Sequence, residues 1–353
     1  MVELVHLCTP DTIDGPNSSD FVAGIEIRNA VESHAFGTSD LQSEPAEQLP
    51  HYQDPASPQR MILARAGNSW VGRARYELEL TGDTAWVNVE VLLEHRGRGI
   101  GRALADEVET TVQRMGRRKA IAYVPIREGP GPRLPAATGS GSVPAESRDV
   151  RFLLERGYRL EQVERASRLV LPVRRLPTRL NQARSRSGPH YVPHSWVGAT
   201  PEEWLEGVAV LRTRMSTDVP TAGLDEPPIE WTAERVRHDD AQLSNNPRPK
   251  LTTVIEHQQS GHLVAFTELS LPTRPGRAAI QQATLVTREH RGRGLGLLVK
   301  LVNLERLSLL TPDAPSVTTF NAEENTPMLA VNDELGFVPI AYQSGWRKDL
   351  DNG

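Results

Sequence analysis

The sequence predicts an α/β protein made of two tandem copies of one domain, and three observations carry that expectation. The chain has 353 residues, about two domains at roughly 150 residues each. Glu94-His-Arg-Gly-Arg-Gly-Ile-Gly101 and Glu289-His-Arg-Gly-Arg-Gly-Leu-Gly296 differ at a single position. The elements around the two copies also recur in the same order.

In the first half a β-like run, Ala85 to Leu93, leads into the glycine loop, and a helical pattern of Leu104, Val108, Val112 and Met115 follows. In the second half the corresponding run is Ala279 to Val286, and the helical pattern is Leu297, Leu298, Leu301, Val302 and Leu304. A further strand-like stretch comes next in each half, Lys119–Val124 and Ser316–Phe320. Each half then has a helix that ends in glycine with an aromatic residue behind it, Gly157-Tyr158 and Gly336-Phe337. Those glycines suit the left-handed position just past a helix C-terminus. Between the halves, residues 173–193 hold prolines and no apolar period, so they read as a linker. The expected domains are therefore 1–172 and 194–353, with the segments 125–148 and 218–228 irregular.

Hydrophobic residues make up 38% and charged residues 24%, a balance that describes folded chain. The net charge of −5 is unevenly spread: both expected domains are acidic, whereas the linker carries Arg174, Arg175, Arg179, Arg184 and Arg186 and no acidic residue. Nucleic-acid binding needs an extended basic face and is disfavoured. The linker reads better as an arginine-rich strap lying on two acidic domains. Cys8 is the only cysteine, which excludes intramolecular disulfides and multi-thiolate zinc sites. With no basic residue before Arg28 and no apolar run of membrane-spanning length, a cytoplasmic protein is expected.

Gly97, Gly99 and Gly101, like Gly292, Gly294 and Gly296, let backbone approach a ligand closely, and the helix that follows aims free N–H groups at the same place. This is an anion cradle. A dinucleotide fingerprint would need a third glycine where Arg102 and Leu297 stand, and a Walker loop would need a Gly-Lys-Ser/Thr ending. Both are absent.

Arg96-Gly-Arg-Gly-Ile-Gly101 and Arg291-Gly-Arg-Gly-Leu-Gly296 resemble the acetyl-CoA loop of the GNAT superfamily of N-acetyltransferases, and Asn321-Ala-Glu-Glu-Asn325 with Leu335-Gly-Phe337 is similar to its second block. The whole chain resembles tandem GNAT proteins of the mycothiol-synthase type. The resemblance implies two domains, each a central, mostly antiparallel twisted sheet flanked by helices, and acetyl-CoA as co-substrate. It implies contacts to acetyl-CoA from Val91, Arg96, Gly97, Arg98, Gly99, Ile100 and Gly101 in the first half, and from Val286, Arg291, Gly292, Arg293, Gly294, Leu295 and Gly296 in the second. Asn321 and Asn325 are then expected beside the pantetheine arm, which enters where strands splay on either side of the loop helix.

Acetyl transfer to an amine requires the neutral nucleophile, so a general base and a donor to the leaving sulfur are expected. Counting back from Val91 and Val286, the usual glutamate position holds Ala85 and Ile280; the usual tyrosine position holds Leu153 and Asn332. The substitutes considered are Glu268 as base and Asn332 as donor, with Glu90 a further acidic strand residue; a charged strand residue more often faces water. His95 and His290 are expected to pack at the loop entrance. Pro193 between His190 and His194 argues against a metal pair, and no metal is expected. Asp239 and Asp240, in a loop over 231–240, are candidates for contacting a cationic acceptor, against the plainer reading of a solvated acidic turn.

The expected function is acetyl-CoA-dependent N-acetylation of a primary amine on a small molecule, with the second half catalytic because its second block is fuller. The alternatives are a non-catalytic acyl-CoA binder or sensor, and a protein-lysine acetyltransferase.

Overall fold

The structure, a computed structural model, describes residues 2–16, 18–78, 82–244 and 246–350. The first half runs β1 (Glu3–His6), α1 (Ser18–Phe36), α2 (Pro45–Gln53), β2 (Gln59–Ala66), β3 (Ser69–Leu78), β4 (Thr84–Val91), α3 (Ile100–Arg114) and β5 (Lys119–Ile126). A small hairpin, β6 (Arg133–Pro135) and β7 (Ser142–Pro144), precedes α4 (Arg148–Glu155) and β8 (Arg159–Val170). After α5 (Leu176–Ser187) the second half runs β9 (Tyr191–Val197), α6 (Leu205–Asp218), α7 (Ala233–Leu243), β10 (Lys250–His257), β11 (His262–Ser270), β12 (Ala279–Val286), α8 (Leu295–Leu310), β13 (Ser316–Ala322), α9 (Thr326–Leu335) and β14 (Val338–Asp349). Except for the added hairpin, the order of elements repeats, as the sequence predicts.

The two halves share one 12-stranded sheet in the order β1-β2-β3-β4-β5-β14-β8-β13-β12-β11-β10-β9. Each half therefore gives its last strand to the other. The final strand of the chain, β14, pairs antiparallel with β5 from Asp349 opposite Lys119 to Tyr342 opposite Ile126. The last strand of the first half, β8, pairs with β13 from Val170 opposite Ser316 to Glu164 opposite Ala322. All pairings in this sheet are antiparallel except β4 with β5 and β12 with β13. Those two ladders are short: pairs run only from Thr84/Lys119 to Trp86/Ile121, and from Ala279/Val317 to Ile280/Thr318. Beyond them the strands part toward the glycine loops, which is the splay expected between them.

Helices α1, α2, α6 and α7 cover one face of the sheet; α3, α4, α5, α8 and α9 cover the other. Phe21 and Ile25 of α1 pack with Met61 and Leu63. Leu104, Val108 and Val112 of α3 pack with Ala74, Val87 and Val91. Gly157 (φ 81°) and Gly336 (φ 98°) adopt the left-handed conformation, and Tyr158 and Phe337 turn back into the core as expected.

The expected linker differs. Residues Leu176–Ser187 form a helix, because Pro177 falls in its first turn, where the missing N–H is not needed and the fixed φ suits helix entry. Leu180 and Ala183 of this helix are buried against the core around α8. Its arginines lie on the second half rather than across both domains as expected: Arg179 donates to the carbonyls of Glu334 and Leu335 at the end of α9, and Arg186 lies 3.8 Å from the Glu334 carboxylate.

Candidate active site

Both loops fold alike for a local reason. Gly97 (φ 83°) and Gly99 (φ 81°), like Gly292 (φ 78°) and Gly294 (φ 75°), take left-handed backbone that favours glycine, and α3 and α8 start immediately afterwards with no side chain capping their first turns. Arg96 Nε donates to the Val91 carbonyl at 3.0 Å, and Arg291 Nε to the Val286 carbonyl at 3.1 Å. The loop arginines thus tie each loop to the end of its strand, a use that motif spacing does not reveal. Gly101 at the start of α3, and Leu295 and Gly296 at the start of α8, line two grooves.

The groove of the first half, about 480 Å³, is lined by Val89, Val91, Gly97, Gly99 and Gly101 and by four arginines: Arg96, Arg102, Arg148 and Arg151. A Cβ at Gly97 would lie 2.7 Å from Arg148 Nη2, so a guanidinium from α4 overhangs the loop. Arg102, Arg148 and Arg151 were not among the sequence-predicted ligands; the signal for them was basic residues near two helix starts. The groove of the second half, about 370 Å³, is lined by Val286, Arg291, Gly292, Gly294, Leu295, Gly296 and Asn325. Arg186 from the strap lies over it, 3.1 Å from a Cβ at Gly294, and Ser187 Oγ donates to the Arg293 carbonyl. His290 packs at the loop entrance as expected, hydrogen bonding with Tyr191 at 3.0 Å and stacking near His257. His194 pairs with Glu256 on the neighbouring strand. Among the described residues no group of three or more His, Cys, Asp or Glu side chains is arranged to hold a metal ion.

In the first half a narrow slot adjoins the groove. Val89, Asp149 and Phe152 line both the groove and the slot between β4 and β5, whose other walls include Val87, Ala105, Val124, Leu153 and Tyr158. Asn88 lines the slot and also a cavity of about 530 Å³ on the opposite face of the sheet. Its amide donates to the Tyr123 carbonyl at 2.8 Å across the splay. The cavity is walled by α1 and α2, by Arg73, Trp86, Glu90 and Tyr123, and by Ile280, Gln282, Phe320 and Gln343 from the second half.

Charge in this cavity is mostly paired. Glu90 is buried, not solvent-facing, and holds Arg73 through two bonds of 3.0 Å each. Arg28 holds Glu32 at 2.6 Å, and burial pushes the Glu32 carboxyl up. Among the described residues Glu164 of β8 makes no ion pair. It lies in register beside the lining residue Gln343, and burial together with the neighbouring carboxylates of Glu226 and Glu324 pushes its carboxyl up to about 7. Tyr123 donates to Glu226 at 2.6 Å, and burial first and Glu226 second push its phenol well above the usual range.

The sequence candidates in the second half occupy other roles. Glu268 is buried in a cavity of about 430 Å³, held by Arg212 at 2.9 Å and near Lys250 at 3.6 Å. It is buried rather than solvent-facing, and both neighbouring cations lie within ion-pair distance of its carboxylate. Asn332 lies on the other face of the sheet. It accepts from Lys300 Nζ at 2.7 Å and donates to Asn321 at 2.6 Å. Asn321 is thus bound into this network, while Asn325 caps α9 by accepting from the Met328 N–H. The expected loop over 231–240 is largely α7, capped by Thr232. Asp239 pairs with Arg212 at 2.6 Å, and Asp240 with Lys250 at 2.8 Å, so neither carboxylate is left for a cationic acceptor. The strand count also shifts. Thr267 faces Thr284 but Leu269 faces Gln281, so β12 carries one extra residue that β4 lacks. Ala279, not Ile280, therefore corresponds to Ala85.

The acetyltransferase (GNAT) family model matches residues 27–128. A tandem GNAT protein from the clavulanic acid biosynthesis pathway, solved without acetyl-CoA, is 23% identical with a TM-score of 0.74, covering 100% of both chains. A GCN5-related N-acetyltransferase from Sphaerobacter thermophilus is 16% identical with a TM-score of 0.65, covering 100% of this chain and 96% of that one. No curated protein matches the sequence. Residues 27–128 thus match the GNAT acetyltransferase model, and the chain as a whole shares the fold of the tandem GNAT protein. Acyl transfer from acetyl-CoA is the general activity of that family.

Proposed function

We propose that the chain transfers an acetyl group from acetyl-CoA to a primary amine of a small molecule, and that the first half carries out the transfer. One observation carries this reading: groove, slot and cavity in the first half are neighbours, with Val89, Asp149 and Phe152 lining both groove and slot and Asn88 lining both slot and cavity. The reading moves the reaction out of the half that the fuller second block had favoured.

The groove suits the diphosphate end of acetyl-CoA, with the N–H groups of Ile100 and Gly101 and the guanidiniums of Arg102, Arg148 and Arg151 as donors. The apolar slot walls suit the pantetheine arm. Bound there, the thioester supplies an activated acetyl group; the chain's own residues orient the acceptor and handle its proton. A cavity of about 530 Å³ beneath α1 and α2 is the size of a small-molecule site. Glu164 is the candidate base, because a carboxylate matched to neutral pH takes a proton from an ammonium better than an ordinary one. Glu226 and Glu324 beside it favour a cationic acceptor. The lone Cys8 supports a cytoplasmic location.

Calorimetry with acetyl-CoA, followed by release of free CoA in the presence of an amine panel, tests this reading. Binding that Gly99→Glu abolishes, together with CoA release, is the expected result. Binding without release against every amine would leave an acyl-CoA binding protein instead.

A further inference from the structure

We propose that Lys300 closes the second half to the acyl arm, so that the chain has one transferase centre and the second half serves it as a structural partner. This rests on the reading that the arm enters between β4 and β5 in the first half.

Equivalent positions of the two halves carry different side chains. Counted from the glycine loops, Lys300 of α8 corresponds to Ala105 of α3. Counted from the terminal glycine–aromatic pairs, Asn332 corresponds to Leu153 and Phe337 to Tyr158. With Ala279 matched to Ala85 and its partner Val317 to Ala120, Asn321 corresponds to Val124. In the first half Ala105, Leu153, Val124 and Tyr158 all line the open slot. In the second half three of these positions are polar and bonded in a chain, Lys300 Nζ to Asn332 at 2.7 Å and Asn332 to Asn321 at 2.6 Å, with Lys300 Nζ 5.6 Å above the Phe337 ring. Lys300 is 2% exposed, and Leu297, Leu301 and Leu304 around it are buried as well.

The lysine fills the place where an arm would pass. Entry would break both hydrogen bonds and leave the freed polar groups buried without partners, so the closed arrangement is favoured over an arm that offers them little. Burial also pushes the Lys300 amine down to about 7, consistent with a group sealed from water. The second half still contributes to the first: Ile280, Gln282, Phe320 and Gln343 complete the wall of the acceptor cavity.

Titration calorimetry of acetyl-CoA into the full chain tests the proposal. The wild type is expected to bind one equivalent, and Gly99→Glu to abolish it. The triple change Lys300→Ala, Asn321→Val and Asn332→Leu, which copies the first half, is expected to add a second equivalent. Two equivalents in the wild type, one that survives Gly99→Glu, or a folded triple variant that still binds one would each overturn the inference. The first two of these outcomes leave acetyl-CoA binding itself standing, whereas no binding by the wild type overturns both readings. If circular dichroism shows the triple variant unfolded, the wild-type stoichiometry and Gly99→Glu decide alone.

Discussion

Asp349, near the end of the chain, lies in register opposite Lys119, the first residue of β5 in the other half. The pair marks one end of an exchange in which β14 completes the sheet of the first half and β8 that of the second. The halves are therefore two sequence repeats but one folding unit, because each sheet is finished by a strand that arrives from the other half.

Trp346 makes that dependence measurable. It belongs to the second half in sequence, yet it is fully buried in the core of the first, among Ala122, Leu160 and Val163. Trp346→Ala is expected to cost about 3–5 kcal/mol. Urea unfolding followed by fluorescence and by circular dichroism should show one transition moved to lower denaturant, with no separate step for an intact first half.

Glu164 sets a pH dependence. With its carboxyl raised to about 7, kcat/KM should fall as pH drops below that value and the base becomes protonated. Glu164→Gln should lower kcat and flatten the limb, and Glu164→Asp should restore part of both. A pH–rate profile of the three proteins that superimposes would remove Glu164 from the mechanism.

The same shift has a stability consequence of known sign. A carboxyl raised in the folded state binds its proton more tightly there than in the unfolded chain, so stability falls as pH rises from the ordinary carboxylate range toward 7. Glu164→Gln should therefore raise Tm more at pH 8 than at pH 5, as read by differential scanning calorimetry.

Arg148 overhangs the first glycine loop. A hydrogen bond to a charged oxygen contributes about 1.5–3 kcal/mol, so Arg148→Ala should weaken acetyl-CoA binding roughly 10- to 100-fold and reduce its salt dependence. Calorimetry at two ionic strengths checks both.

Glu268 holds Arg212 and approaches Lys250 in a buried cluster. Removing Glu268 costs Arg212 one of its two carboxylates but leaves Arg212 paired with Asp239 and Lys250 with Asp240, so Glu268→Ala should destabilise the chain by about 1–3 kcal/mol. Thermal denaturation measures this, and a Tm equal to wild type would mean that water already shields the two cations.

The repeat, the two glycine loops and their helices, and the glycine–aromatic ends were legible because each is set within a few residues: a left-handed glycine, an open first turn and an apolar period are local properties. The helix at Leu176–Ser187 was missed because Pro177 was weighed as a helix breaker rather than as a first-turn residue. Glu268 and Asn332 were chosen for their chemical type, but the partners that occupy them, Arg212 on α6 and Lys300 on α8, come from distant elements.

The sequence by itself determined that two glycine cradles exist, since φ and helix entry depend on neighbours along the chain. Only the tertiary structure decided which cradle opens into a slot, which strands complete which core, and that Glu164 stands unpaired beside Glu226 and Glu324. Those outcomes depend on contacts between residues many positions apart: Ala105 lines a slot in one half, while Lys300 at the equivalent place in the other is bonded to Asn332.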